Sequence, residues 1–183
     1  MGARLLDDSQ MRLTFIILLF ITCTDSIACR CTWRTLKETQ EASIKQSPLI
    51  FIGDVIEFNN KNGTYKLKVV EILKGDTNTH IIEGASLTSC SGFANKGRWL
   101  IYVDTFHNGV IDFTFCGLSR SFKNPHSIYL WATDYKIPGP PPKNISKKQL
   151  KQLKIENEKV MNSLRKIAKA DLEAEIEELR KKK

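Results

Sequence analysis

The chain has 183 residues and a formal net charge of +8, and 42% of its residues are hydrophobic. That hydrophobic fraction is typical of a globular protein and excludes an intrinsically disordered chain. The length suits one compact domain with room for an appended segment.

The first 28 residues have the pattern of a secretory signal peptide. An apolar run over residues 13–21 is followed by Ser26 and Ala28, small residues at the two positions that a signal peptidase reads. The run is shorter than the roughly 20 apolar residues that a membrane-spanning helix needs, so we predict no transmembrane span. Cleavage after Ala28 makes Cys29 the first residue of a secreted, extracellular protein. The alternative is a bacterial lipoprotein with lipid on Cys29, although Ser26 stands where such signals usually carry a large aliphatic residue.

Removal of this signal leaves four cysteines, an even number typical of a secreted protein with two disulfide bonds. They are Cys29, Cys31, Cys90 and Cys116. Cys29 and Cys31 are poorly placed to bond each other because they are nearly adjacent, so each is expected to pair with a distant cysteine. Of the two arrangements that remain, we favour Cys29–Cys90 with Cys31–Cys116.

The middle of the chain favours β-structure, because runs of β-branched and aromatic residues alternate with turn sequences. Alternation is clearest where Tyr65, Leu67 and Val69 would share one face of a strand and lysines the other. The short connections predict antiparallel neighbours, with a tight hairpin at residues 107–109. The five predicted strands cover residues 49–58, 64–73, 80–82, 98–103 and 110–116.

A short helix is predicted before the strands, at residues 35–45. After the strands, the proline-rich residues 138–142 are expected to end regular structure and to act as a stiff linker. The linker separates a predicted domain at residues 29–137 from a tail at residues 143–183.

The tail is predicted to form a long, basic, amphipathic helix. Ser146 and Gln149 make a capping box at its start. Apolar residues then follow heptad positions for part of its length, which predicts either a coiled coil or a helix lying partly against the strands. The final basic run, residues 180–183, predicts binding to heparan sulfate or another polyanion, with ordinary solubility as the alternative. We expect no nucleic-acid partner for a secreted protein.

The sequence contains no pattern typical of an enzyme active site. Its three histidines are far apart, and its cysteines are better used in disulfide bonds. We therefore expect no catalytic activity, no cofactor and no metal ion of its own. Asn62 and Asn144 begin the Asn-X-Ser/Thr pattern of N-glycosylation, and both fall in predicted loops.

Cys29, Arg30 and Cys31 directly follow the signal, and strand segments and the other two cysteines come after them in a definite order. The segments are residues 51–55, 68–75, 87–90, 96–102 and 113–116. With this order and spacing, residues 29–131 resemble the amino-terminal, netrin-type module of the tissue inhibitors of metalloproteinases. The resemblance implies a mainly β fold, a five-stranded OB-fold-like Greek-key barrel with flanking helices.

The same resemblance implies inhibition of a secreted or membrane-anchored zinc metalloendopeptidase. In that family the α-amino nitrogen and carbonyl oxygen of the first cysteine chelate the zinc of the protease, and Cys29 would do so here. A catalytic zinc keeps one coordination position open for water, which an amine with a carbonyl can displace. The alternative is an extracellular netrin-type module that engages matrix glycans or a receptor through its basic surface, without protease inhibition.

The resemblance also implies a ridge of protease contacts around Cys29. Arg30 would enter the main specificity pocket, where the family usually presents a small residue. We therefore expect either weak inhibition of the common matrix metalloproteinases or a target with an acidic pocket. The rest of the ridge would be Cys31, Thr32, Trp33, Thr88, Ser89, Cys90 and Ser91, with a core aromatic as the alternative role of Trp33.

Overall fold

The structure is a computed structural model that describes residues 31, 34–92, 94–130, 132 and 134–183. The predicted signal peptide and the predicted site residues Cys29, Arg30, Thr32 and Trp33 lie outside this part of the chain. The described elements are helix α1 (Leu36–Gln46), strands β1 (Ile50–Asn59), β2 (Thr64–Lys74), β3 (Ile81–Ala85), β4 (Gly97–Tyr102), β5 (Thr105–His107), β6 (Val110–Asp112) and β7 (Arg120–Ser121), a 3-10 helix (Pro125–Leu130) and helix α2 (Lys147–Lys181).

The seven strands form one sheet in the order β5-β6-β3-β2-β1-β4-β7. Neighbouring strands are antiparallel, except that β3 and β6 are parallel. In a flat sheet β4 and β5 would be about 24 Å apart. The chain between them has only two residues, Val103 and Asp104, and spans roughly 11 Å at most. The sheet is therefore curled into a half-barrel.

Five of these strands correspond to the predicted ones, and the predicted count of five is corrected to seven. Strands β5 and β7 have three and two residues, too few for an alternation to be visible in sequence. The strand predicted at residues 110–116 ends at Asp112, because the residues after it pair with the segment around Ser91 instead.

The tight hairpin predicted at residues 107–109 is confirmed between β5 and β6. Its two central residues, Asn108 and Gly109, have φ values of 51° and 82°. Two successive left-handed residues form the turn that matches the twist of a two-residue hairpin, which explains the Asn-Gly sequence.

Two hydrophobic cores lie on opposite faces of the sheet, because successive strand residues point to opposite sides. On β1, Phe51 belongs to the core inside the curl, whereas Ile50 and Ile52 belong to the outer core beneath the helices. The alternation predicted for β2 is confirmed, since Tyr65 and Leu67 are buried in the inner core. The half-barrel thus has a filled interior and a second apolar face that the helices cover.

Helix α1 begins one residue later than predicted and ends one residue later. Thr35 is its N-cap and forms a capping box with Glu38, so residue 35 is the cap and not the first helical residue. Leu36 and Ile44 pack in the outer core.

Helix α2 follows residues 138–142, which contain no helix or strand. The capping box of Ser146 and Gln149 is confirmed. The second half of the helix packs against the sheet, as in the predicted alternative to a coiled coil. Residues 31–183 form one compact unit. In the described part of the chain, no helix is long and apolar enough to cross a membrane. The buried apolar residues of α2 are Leu164, Ala168, Leu172, Ile176 and Leu179.

A buried ion pair fixes this half of α2. Glu175 and Arg120 are 4% and 0% exposed, and a guanidinium nitrogen of Arg120 lies 3.0 Å from a carboxylate oxygen of Glu175. The hydroxyl of Tyr102 donates to the same carboxylate at 2.6 Å, and the amide of Gln40 donates to it at 2.7 Å. The pKa of Tyr102 is raised by burial and by this neighbouring carboxylate. One carboxylate therefore joins α2 to β4, β7 and α1.

Asp171, at which the heptad pattern breaks in the sequence, has a role in this packing. Its carboxylate accepts hydrogen bonds from the hydroxyls of Tyr129 and Tyr135. The two tyrosine rings are stacked, with their centroids 3.8 Å apart. A polar residue at this position therefore anchors α2 to the segment before the linker.

The end of α2 is attached to β2 by an ion pair on the surface. Arg180 donates to both carboxylate oxygens of Glu71, at 2.9 and 2.7 Å. The pKa of Glu71 is lowered from its ordinary value of 4.5 because its carboxylate accepts these hydrogen bonds.

Arg180→Gln is expected to lower stability at neutral pH but not in acid. A carboxyl group whose pKa is lowered on folding stabilises the protein fully above pH 4.5 and loses that effect as the pH falls through the lowered pKa. The effect should be small, because both side chains are partly exposed. Thermal unfolding of the variant and of a Lys181→Gln control, at neutral and acidic pH, measures it. A difference that persists in acid would contradict this explanation.

Candidate functional site

Residues 88–91 form a tight turn with Ser89 and Cys90 at its tip. The backbone N–H of Ser91 donates to the carbonyl oxygen of Thr88 at 3.1 Å, and the N–H of Thr88 donates to the Ser91 hydroxyl at 2.8 Å. The Ser91 hydroxyl donates in turn to the carboxylate of Asp112 at 2.7 Å. The turn is therefore closed on itself and fixed to the end of β6.

Backbone pairing attaches this turn to the segment that follows β6. The carbonyl oxygen of Cys90 accepts from the N–H of Phe115 at 3.1 Å and from the hydroxyl of Thr114 at 3.2 Å. Gly92 donates to the carbonyl oxygen of Phe113. A Cβ at Gly92 would lie 2.0 Å from the Phe113 ring, so only glycine permits this close approach.

A disulfide bond joins the first described residue to the same segment. Cys31 and Cys116 are bonded, with Cα atoms 5.3 Å apart, as predicted. Cys90 is disulfide-bonded as well, and its predicted partner Cys29 lies outside the described residues. Five predicted ridge residues, Cys31 and the four residues of the turn, are thus connected through the segment after β6.

Three residues that position the turn were missed by the sequence prediction. Asp112, Thr114 and Asp104 were treated as ordinary strand or loop residues, yet Asp112 bonds Ser91 and Asp104 accepts from the N–H of Thr114. Partial burial raises the pKa of Asp104, and the charge of Asp112 raises it further. The signal in the sequence was that two polar residues, Asp112 and Thr114, alternate with Ile111 and Phe113, which are buried.

Exposed apolar residues flank the turn. Leu87, immediately before it, is 54% exposed, and Phe115, which pairs with Cys90, is 37% exposed. Exposed apolar side chains beside the small polar residues of the turn are suited to protein contact. The described residues contain no group of three or more His, Cys, Asp or Glu that could hold a metal ion.

The two N-glycosylation patterns lie on the surface. Asn62 is exposed in the β1–β2 turn, where its side-chain oxygen accepts from the hydroxyl of Thr64 at 2.7 Å. Asn144 is exposed just before α2. Both predicted loop positions are confirmed, and modification of either residue stays a prediction.

Comparisons with protein-family models and with curated proteins give no relative for this chain. No protein-family model matches it, and no curated protein is significantly similar to it. The assignment of function therefore depends on the residues and geometry of the chain itself.

Ser91→Ala is expected to loosen the turn without unfolding the protein. The change removes the acceptor of the Thr88 N–H and the donor to Asp112, at a cost of about 1 kcal/mol. Amide hydrogen exchange at Thr88 should accelerate by roughly five- to tenfold. Ser89→Ala is the matched control, because no side-chain hydrogen bond of Ser89 occurs among the described residues. Equal exchange in the two variants would show that the Ser91 hydroxyl does not order the turn.

Proposed function

We propose that the protein is a secreted inhibitor of zinc metalloendopeptidases and that Cys29 is the first residue of its mature form. The observation that carries the proposal is the Cys31–Cys116 disulfide beside the turn at residues 88–91. This disulfide attaches the chain two residues after the proposed amino terminus to the segment that holds the turn. Such an arrangement is what an inhibitor needs to present a terminus and a loop as one surface.

The chemistry of the proposed inhibition depends on the atoms of Cys29. A free α-amino group titrates near pH 8, roughly, so its neutral, metal-binding form is accessible near neutral pH. The nitrogen and the carbonyl oxygen of Cys29 would occupy the position of the nucleophilic water on the zinc of the protease. Disulfide bonds on both cysteines would hold these atoms in place before binding, which reduces the entropy lost in the complex.

We also propose that β1, β2, β3, β4 and β6 correspond to the five strands of an OB-type barrel. Two features support this correspondence. Strand β1 pairs with both β2 and β4, and β3 pairs in parallel with β6. Strands β5 and β7 would then be short additions at the ends of the sheet.

Arg30 suggests the kind of protease that would be inhibited. A cation immediately before Cys31 would have to lose its water in an apolar specificity pocket, which is costly. We therefore propose a target whose pocket contains a carboxylate that pairs with Arg30.

The test begins with the mature protein secreted from eukaryotic cells. Intact mass and amino-terminal sequencing establish whether Cys29 is free and whether two disulfides are present. The protein is then titrated against zinc metalloendopeptidases with apolar and with acidic pockets, and against a serine protease as control. We expect inhibition of zinc enzymes alone, tightest for an acidic pocket. A correctly processed protein that inhibits no member of the panel would refute the proposal.

A second candidate function is an extracellular binding module that does not inhibit a protease. The observation that favours it is a basic surface on α2, where the lysines between residues 147 and 169 are exposed. The two functions use different parts of the chain and can be tested separately.

A further inference from the structure

The positive charge of the chain is concentrated in one segment, residues 143–169. This segment has nine Lys and Arg residues and two Glu, whereas residues 171–179 have five acidic residues and no basic one. The whole chain has a net charge of +8, so the segment accounts for most of it. The polar face of α2 is therefore strongly basic over its first two thirds and acidic afterwards.

The basic residues of α2 lie along one side of the helix. At about 100° per residue they fall within an arc of roughly 140°, beside the face that packs on the sheet. They extend over about 33 Å of helix, and all are exposed. This set, which we call the basic stripe, comprises Lys147, Lys148, Lys151, Lys154, Lys159, Arg165, Lys166 and Lys169.

Few acidic groups neutralise the basic stripe. Arg165 pairs with Glu158 at 3.0 Å. Within the described part of the chain, none of the ion pairs involves a lysine of the stripe. The stripe therefore presents a row of cations to solvent.

The position of these cations opposes helix stability. The first turn of α2 contains no acidic residue, although the helix dipole favours anions there and disfavours Lys147 and Lys148. Lys147, Lys151 and Lys154 are spaced three and four residues apart, so they repel one another across the helix surface. Folding does not explain this arrangement, and a bound polyanion would offset both unfavourable terms.

The basic run at residues 180–183, predicted from sequence as the polyanion site, is largely engaged within the protein. Arg180 pairs with Glu71 and Glu177. Lys182 pairs with Glu178, and the ammonium of Lys183 donates to the carbonyl oxygen of Ile72 at 3.1 Å. These partners make the end of the helix a weaker anion site than the stripe.

We propose that the basic stripe binds a linear anionic glycan lying along α2. In the second half of the helix the apolar residues are buried against the sheet, among them Leu164 and Ala168. The large apolar residues of α2 that are exposed are Ile155, Val160 and Ile167, and Ile155 lies on the side of the basic stripe, away from the other two. A divided apolar surface is poorly suited to insertion into a bilayer, which favours a soluble polyanion over an anionic membrane. Ion pairs along the stripe would be screened by salt. This inference does not depend on inhibition through Cys29.

The test uses heparin as the probe and two variants that each remove three positive charges. One carries Lys147→Gln, Lys151→Gln and Lys154→Gln in the stripe. The control carries Lys181→Gln, Lys182→Gln and Lys183→Gln. Glutamine and lysine have similar helix propensities, so both variants should fold, which circular dichroism checks. We expect the stripe variant to lose about tenfold in heparin affinity and to elute at lower salt, and the control to change by about twofold or less.

Several outcomes would overturn the proposal. Equal losses in the two variants would show that net charge alone determines binding. A larger loss in the control would assign the site to the end of the helix. Binding to phosphatidylserine vesicles without binding to heparin would assign the stripe to a membrane. Both variants should keep any protease inhibition of the parent, so this test and the inhibition test can fail independently.

Discussion

One alanine added in front of Cys29 is expected to abolish metalloproteinase inhibition and to leave the domain folded. The addition converts the α-amino group into an amide nitrogen, which does not coordinate zinc, and places an extra residue where the metal must approach. We expect the inhibition constant to rise by about 100-fold or more, equivalent to about 3 kcal/mol. Titration against the most sensitive protease of the panel, beside thermal unfolding, measures both parts of the prediction.

The matched control for this variant has the same alanine added after Lys183. It has the same composition as the first variant but an unchanged amino terminus, so its inhibition constant should equal that of the parent. If the variant extended before Cys29 inhibits as strongly as the control, the chelation mechanism is wrong. If it is inactive because it has unfolded, its melting temperature will show this.

Glu175→Ala is expected to destabilise the protein by about 3–5 kcal/mol, because it leaves the guanidinium of Arg120 buried without its partner. The change also removes the acceptor of the Tyr102 hydroxyl and of the Gln40 amide. Since one carboxylate joins α2 to three other elements, we expect the second half of α2 to separate from the sheet first. Urea unfolding measures the free energy, and hydrogen exchange along α2 identifies the segment that opens.

Two further variants make this prediction specific. Glu173→Ala changes an exposed glutamate two residues away and should have little effect on stability. The double variant Arg120→Met with Glu175→Leu removes both charges and should recover most of the stability, because an apolar pair can replace a buried ion pair. A large loss in Glu173→Ala, or none in Glu175→Ala, would exclude the buried pair as the source of the effect.

Local features of the fold were predictable because they depend on neighbouring residues. The capping box at Ser146 and the Asn108-Gly109 hairpin are confirmed, and α1 lies within one residue of its predicted bounds. Tyr65 and Leu67 also share one face of β2, as predicted, and that face is the inner one. In each case the deciding interaction spans only a few residues, so the sequence pattern contains it in full.

The candidate site was predictable only in part. The Cys31–Cys116 bond belongs to the favoured one of the two pairings that the number and spacing of the cysteines left open. The hydrogen bond from Ser91 to Asp112 did not, because an aspartate in an apolar run has no pattern that identifies its partner 21 residues away. The basic end of α2 shows the same limit, since its charge is visible in the sequence but the partners of Arg180, Lys182 and Lys183 are visible only in the fold.

The sequence by itself determined the mainly β class, the two helices and the cap of α2, because composition, periodicity and spacing are properties of the chain alone. Only the tertiary structure decided that β3 and β6 pair in parallel and that α2 packs on the sheet. It also decided that Arg120 meets Glu175 in the interior. These contacts join residues far apart in the chain, and their energies depend on desolvation and geometry that no local pattern encodes.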